Sequence, residues 1–173
     1  KGCSYSYRRR GRRRRMNIFY LHNDPQICAE YHCDKHVVKM ILEYAQLLST
    51  AHHELDGMPS IECYKPTHKY HPSAVWARQS KRHYRWLYRL LSHTCREYSK
   101  RYRKIHATEA KGIVSNLMHL PHELRATGWE DPPQCMPNEY KSINVIRAYR
   151  DYYIGEKGRF ATWKNGSPSW WQQ

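Results

Sequence analysis

The chain has 173 residues, enough for one domain with a hydrophobic core, and it carries 30 lysines and arginines against 15 acidic residues. Residues 1–15 hold eight of these cations, so residues 16–173 keep 22 cations and 15 acids, a net charge of +7. This charge favours a polyanionic partner, which is more often nucleic acid than an anionic membrane. No apolar run approaches the ~18 residues of a membrane span, and none follows the basic start as it would in a secretory signal. The six cysteines are scattered and include no Cys-x-x-Cys pair, which favours reduced thiols.

The N-terminal part of the chain divides at Met16. Residues 1–15 are rich in arginine and lack any apolar period, which predicts a disordered tail. Residues 16–173 are predicted to form a single helical domain that begins with a short extended segment, MNIFYL. Asp24 and Pro25 then suit the N-cap and the first position of a helix.

Helical periodicity covers most of the remaining chain. The expected fold is therefore all-α, a compact bundle of about four helices, two of them long, joined by long loops. Prolines and turn residues place two of these loops at 57–72 and 128–139. The predicted helices cover residues 25 to about 53, 73 to about 105, 108 to about 120, and 142 to about 154.

The first long helix carries two carboxylates on its core-facing side. Glu30 and Asp34 are four residues apart, so they lie one above the other within a broad apolar face. Carboxylates in a cleft at this position suit proton transfer near neutral pH, which makes both residues catalytic candidates. The alternative is a helix that breaks near Cys33 and makes Asp34 a second N-cap. The same projection assigns to the solvent-exposed face His32, Lys35, His36, Lys39 and Glu43.

The second long helix carries a row of cations opposite its apolar stripe, and Glu97 is the only acid between residues 73 and 105. On one continuous helix the row would extend for about 40 Å, a length suited to a phosphate backbone. A solvated charged face is the alternative, although such faces normally interleave acids. The predicted phosphate contacts are Arg78, Arg82, Arg85, Arg89, Arg96, Lys100 and Arg103.

His83 interrupts the apolar stripe of the same helix. A histidine in that position is more often a hydrogen-bonded core residue than a catalyst. Helix packing could nevertheless place it opposite Glu30 and Asp34, so we expect these three residues to form one catalytic pocket.

The sequence lacks a complete metal or cofactor motif. HCDKH at 32–36 has two histidines four residues apart, and Cys63, His68 and His71 could add ligands, but no Cys-x-x-Cys pair completes a tetrahedral site. Phosphate-binding and dinucleotide-binding glycine motifs are also missing. We therefore predict neither a metal nor a cofactor.

The order of these segments resembles the phage pyrimidine-dimer DNA glycosylases, the endonuclease V family. The likeness spans residues 16–171 in outline, and the first segment is also similar to phage proteins. The likeness to the glycosylases consists of four features in this order. They are the start MNIFYL, a first helix with Ala29-Glu30-Tyr31, a long helix after a proline-containing loop, and a terminal aromatic segment with Thr162-Trp163-Lys164 and Pro168-Ser169-Trp170-Trp171.

The resemblance implies a helical enzyme that flips a base, an N-terminal amine that attacks the sugar C1′, and a glutamate that assists glycosyl cleavage and β-elimination. In an ungapped alignment on Ala29-Glu30-Tyr31 that glutamate falls on Cys33, so Asp34 or Glu30 would substitute for it. Aromatic side chains can stack on bases. The candidate contacts of the terminal segment are Trp163, Lys164, Trp170 and Trp171.

Three functions are compatible with these features. The favoured one is a DNA glycosylase and AP lyase that acts on damaged bases such as pyrimidine dimers. The alternatives are a non-catalytic phage protein that binds DNA or RNA, and another nucleotide- or RNA-modifying enzyme that uses the same cleft. We expect a monomer that binds DNA rather than RNA, has no membrane partner and lies in the cytoplasm, that of the host if a phage encodes it.

Overall fold

A computed structural model describes residues 16–172, so the predicted disordered tail at 1–15 lies outside the described residues. Within residues 16–172 the chain forms seven α-helices and no β-strand, which confirms the all-α class. Two of them, α2 and α4, exceed twenty residues. The helices are α1 (Pro25–Tyr31), α2 (Asp34–Asp56), α3 (Pro72–Ala77), α4 (Lys81–Tyr102), α5 (Ala107–Ala110), α6 (Ile113–Asn116) and α7 (Val145–Tyr152). A π-helical turn, Tyr153–Lys157, continues α7, and a 3₁₀ turn, Asn138–Tyr140, precedes α7.

The first predicted helix is in fact two helices. Asp24 caps α1 as predicted, because its carboxylate accepts a backbone N–H of the first turn at 2.8 Å. His32 and Cys33 then adopt extended backbone, and α2 begins at Asp34 with Cys33 as its N-cap. A break near Cys33 is the alternative that the sequence left open, but Asp34 is the first helical residue rather than the expected second N-cap. The Asp34 N–H donates to the Thr162 carbonyl at 2.7 Å, so a distant segment completes the new helix start.

The predicted solvent-exposed face is wrong for three of its five residues. His32, His36 and Glu43 are buried, whereas Lys35 and Lys39 are exposed. Tyr153 of the π-helical turn and Phe160 after it pack against His36, which a helical projection of α2 alone could not show.

The second predicted helix is likewise interrupted, between α3 and α4. Ser80 has extended backbone and caps α4, with its hydroxyl oxygen accepting the His83 N–H at 3.1 Å. The Lys81 N–H donates to the Ala126 carbonyl at 2.8 Å. The interruption therefore depends on a polar residue in the apolar stripe and on a loop that arrives from later in the chain.

α1 and α2 both pack against α4, and their apolar residues share one core with segment 16–21 and α7. Four tyrosines, Tyr44, Tyr84, Tyr149 and Tyr153, are fully buried in it, and each hydroxyl is hydrogen-bonded within the protein. Tyrosine can fill a core in this way without leaving a polar group unsatisfied. This use accounts for four of the 15 tyrosines in the chain, which has only two phenylalanines.

The described part of the chain contains no helix that is both long and apolar enough to cross a membrane. The five cysteines within residues 16–172 are all free thiols.

Candidate nucleic-acid interface

Six of the seven predicted phosphate contacts form one row, which we call the basic face of α4. They recur at helical spacing, and all six side chains are exposed. The row extends for about 31 Å at 1.5 Å per residue, less than predicted because α3 is a separate helix. Its members are Arg82, Arg85, Arg89, Arg96 and Lys100, with Arg103 at the C-cap.

The basic face has no acidic partner within the described residues: none of the ion pairs of residues 16–172 includes one of its cations. Four neighbouring pairs in the row are three or four residues apart. Like charges at that spacing destabilise a helix by about 0.2–0.5 kcal/mol per pair, so a polyanion would relieve repulsion that the unbound protein retains. A DNA duplex segment of about 31 Å carries about 18 phosphate charges.

Arg78 does not belong to this face. It ends α3, and its Nη2 donates to the Lys69 carbonyl at 2.7 Å, which ties α3 to the preceding loop. The sequence analysis assumed one continuous helix from α3 into α4, and the position of Arg78 on that helix was wrong, whereas its contact with phosphate stays a prediction.

Arg101, which the sequence analysis did not single out, connects three helices. Its side chain is 1% exposed. Nη1 donates to the His32 carbonyl at 2.7 Å and to Asp34 Oδ1 at 3.2 Å. Nη2 donates to the Glu30 carbonyl at 3.0 Å, and Nε donates to Glu97 Oε2 at 3.1 Å. The i,i+4 spacing of Glu97 and Arg101 was the signal available in the sequence.

The Asp34 carboxylate is fully engaged by this network and by the C-terminal segment. In addition to Arg101, its Oδ1 accepts the Lys164 N–H at 3.1 Å, and its Oδ2 accepts the Thr162 hydroxyl at 3.2 Å. Asp34 therefore holds the C-terminal segment against the start of α2.

The predicted pocket of Glu30, Asp34 and His83 is not observed. Glu30 is exposed on α1. His83 lies near the start of α4, about 27 Å along that helix from Arg101, the partner of Asp34. The predicted pocket assumed one continuous helix from Pro25 and another from Ser73, whereas each of these segments forms two separate helices.

His83 is instead a hydrogen-bonded core residue. Its Nδ1 donates to the Trp76 carbonyl at 2.8 Å, and its Nε2 accepts the Glu130 N–H at 2.9 Å. The imidazole stacks on the Trp76 indole with ring centroids 4.3 Å apart. Burial lowers the pKa of His83, in keeping with a neutral ring whose two nitrogens are both bonded.

A cleft of about 180 Å³ lies beside the C-terminal half of α4. Glu30, Lys100 and Arg101 line it together with the turn at residues 165–168. The cleft thus joins one predicted catalytic carboxylate to a residue of the basic face. Its volume is below the ~300–1,000 Å³ of typical small-molecule sites, so it can hold only part of a nucleotide.

The tryptophans of the C-terminal segment are half-buried. Trp163 donates its indole N–H to the Tyr31 carbonyl at 3.0 Å, and Trp170 packs edge-on against the Tyr31 ring. Trp163 and Trp171 also line an open depression of about 460 Å³. The Lys164 amine is 5.3 Å from the ring of a tyrosine in the last turn of α4, so this segment adds a cation near the end of the basic face.

No three His, Cys, Asp or Glu side chains among residues 16–172 are arranged as a metal site. His32 Nε2 lies 2.6 Å from the Tyr44 hydroxyl, whereas His36 bonds to Tyr153, so the two histidines of HCDKH have separate partners. Comparisons of the chain with protein-family models, curated proteins and solved structures gave no match.

Proposed function

We propose that this protein binds nucleic acid, with DNA as the preferred partner, through the basic face of α4. The observation that carries the proposal is a row of six exposed cations that has no acidic partner within residues 16–172 and extends for about 31 Å. Cations in this arrangement match phosphate groups, whose contacts position a protein on nucleic acid without reading its sequence.

The inner side of α4 supports this role. Leu87, Leu90 and Leu91 are fully buried, and the Arg101 network ties the end of the helix to α1 and α2. A helix fixed in this way presents its outer cations in a set geometry. Little order then has to be gained on binding, which favours affinity.

Binding of the full-length protein to a labelled DNA duplex, measured by fluorescence anisotropy over a range of salt concentrations, tests this proposal. Replacement of three cations of the face by glutamine should reduce the slope of log Kd against log salt by about 2–3, because each lost phosphate contact removes about 0.9. The variant is Arg85→Gln/Arg89→Gln/Arg96→Gln.

The matched control removes three exposed cations that lie outside the basic face. It loses the same formal charge and should largely retain the wild-type slope. Equal slopes for the two triple variants would contradict a specific role of α4. The control variant is Lys111→Gln/Arg125→Gln/Lys141→Gln.

The cleft beside the basic face favours a second candidate function, a DNA glycosylase and AP lyase that acts on damaged bases. Glu30 would be the carboxylate that assists at the sugar C1′, and Lys100 places an amine at the same cleft. Borohydride should then trap a covalent adduct between the protein and abasic or ultraviolet-damaged DNA, and Lys100→Gln should remove it. No adduct and no strand nicking with the wild-type protein would exclude this activity.

A further inference from the structure

The C-terminal segment forms an open depression of about 460 Å³, which we call the aromatic depression. Two indole rings line it, those of Trp163 and Trp171, with centres 4.8 Å apart and planes inclined by 61°. Both side chains are half-buried, so part of each indole faces solvent. Among the described residues no charged side chain lines the depression, and its other lining residues are Ala161, Thr162 and Ser167. Trp170 belongs elsewhere, because its ring packs against those of Tyr31 and Tyr153.

Hydrogen bonds hold the aromatic depression in a fixed position relative to α4. The Trp163 indole N–H donates to the carbonyl of the last residue of α1 at 3.0 Å. On either side of Trp163, the Thr162 hydroxyl and the Lys164 N–H donate to the Asp34 carboxylate at 3.2 and 3.1 Å. Arg101 of α4 donates to the same carboxylate at 3.2 Å. The indoles are therefore positioned before a ligand arrives, which lowers the cost of ordering them on binding.

The aromatic depression is continuous with the basic face of α4. Ser167 lines the depression and also the cleft of about 180 Å³ that Lys100 of the basic face lines. The Lys164 amine lies 5.3 Å from the ring of a tyrosine in the last turn of α4, and it takes part in none of the ion pairs of residues 16–172. The carboxylates of Glu30 and Glu97 also line the cleft, so phosphate groups would pass it at Lys100 and Lys164.

The occupant that fits this surface is an unpaired nucleobase. In a duplex the bases stack on one another and show only their edges in the grooves, whereas an unpaired base offers a face on which an indole can stack. Lys164, next to Trp163, lies against the last residue of α4. A duplex aligned along the basic face would therefore reach the depression only where its strands end or separate.

We propose that the aromatic depression stacks an unpaired base, and that the protein therefore prefers a duplex with a single-stranded extension to a blunt duplex. This inference rests on the proposed binding of nucleic acid by α4, which would hold the duplex, while Lys164 would contact the phosphates of the extension. Every base has a face that can stack, so the preference is for the junction of single and double strand rather than for a sequence.

Binding of the full-length protein to two partial duplexes, measured by fluorescence anisotropy, tests this site. Both contain the same duplex of about 20 base pairs, about twice the length of the basic face. Both carry a single-stranded extension of about four nucleotides. One extension consists of thymidines and the other of tetrahydrofuran abasic spacers, so the phosphate charge is equal and only the bases differ. Each is prepared as a 5′ and as a 3′ extension. In one of these orientations the wild type should bind the thymidine extension at least about fivefold more tightly, the low end for one base–aromatic stack.

Replacement of Trp171 assigns this difference to the aromatic depression. Trp171→Ala should abolish the difference, whereas Trp171→Phe, which keeps an aromatic ring, should retain most of it. The matched control is Tyr70→Ala, which removes an 81% exposed ring from the loop before α3 and should retain the full difference. Circular dichroism verifies that each variant is folded.

Equal affinity of the wild type for the two extensions in both orientations would overturn the site. A difference that Trp171→Ala retains, or that Tyr70→Ala loses, would overturn it as well. The triple variant of the basic face separates the two proposals, because it should weaken the binding of both partial duplexes and keep their ratio. If that variant and its control have equal salt slopes while Trp171→Ala still removes the difference, the role of α4 fails and the aromatic depression stands. Absence of binding to every DNA would contradict both proposals.

Discussion

Replacement of Arg101 by methionine removes the guanidinium and keeps most of the aliphatic stem. The structure predicts a loss of about 3–5 kcal/mol in the free energy of unfolding, because two carboxylates would remain largely buried without their cation. Asp34 and Glu97 have side chains that are 13% and 9% exposed. The carbonyls of Glu30 and His32 would also lose their donor.

Urea denaturation followed by circular dichroism measures this loss. An unchanged m-value would show that the surface area exposed on unfolding is the same in the variant and in the wild type. The loss corresponds to a decrease in Tm of roughly 2–4 °C per kcal/mol for a chain of this size. Arg85→Met is the matched control, because Arg85 is exposed on the same helix. Its free energy of unfolding should change by no more than about 0.5 kcal/mol.

Asp34→Asn separates the charge of this network from its hydrogen bonds. The double variant Asp34→Asn/Arg101→Met should lose less free energy of unfolding than the two single variants lose in sum. Without the Asp34 charge, removal of Arg101 leaves one buried carboxylate fewer without its cation. A loss below about 1 kcal/mol in Arg101→Met would refute the role of Arg101 as the connection between α1, α2 and α4.

Three further variants test other parts of the structure. Burial lowers the pKa of His32 from 6.5 to about 4, so between these pH values the unfolded chain binds more protons than the folded protein. The free energy of unfolding should therefore fall by up to about 3 kcal/mol as the pH drops from 6.5 to 4. His32→Gln should flatten that dependence in urea titrations at several pH values. His83→Gln should lower the free energy of unfolding by about 1–3 kcal/mol, because the Trp76 carbonyl and the Glu130 N–H would lose their hydrogen bonds, while DNA affinity stays unchanged. A selective loss of DNA affinity would restore His83 as a functional candidate. Gly155→Ala should cost about 1–3 kcal/mol by thermal denaturation because a Cβ would overlap the Tyr140 hydroxyl, whereas the control Gly128→Ala meets no atom within 4 Å and should be nearly neutral.

Local signals in the sequence predicted the helical segments, but they offered the break near Cys33 only as an alternative and did not predict the break before Lys81. The Asp24-Pro25 start was correct because capping depends on neighbouring residues alone. The break at Cys33 and the one before Lys81 are completed by carbonyls of Thr162 and Ala126, which approach only after the chain has folded. A helical projection contains no information about such distant partners.

The same limit explains which parts of the candidate site could be predicted. The exposed cations of α4 follow directly from helical spacing, since a face without apolar residues points to solvent. The burial of His36 and Glu43 could not be predicted in this way. The burial of His36 depends on Tyr153 of the π-helical turn and on Phe160 after it, which come from the other end of the chain.

Arginine footprinting of the protein on DNA shows whether the basic face of α4 contacts the duplex. The full-length protein is modified with phenylglyoxal, with and without a DNA duplex, and the modified arginines are quantified by mass spectrometry. We expect DNA to protect Arg82, Arg85, Arg89 and Arg96, whereas Arg125 and Arg147, which lie outside the basic face, should remain reactive. Equal protection of both groups, or protection of Arg125 and Arg147 alone, would contradict a nucleic-acid interface on α4.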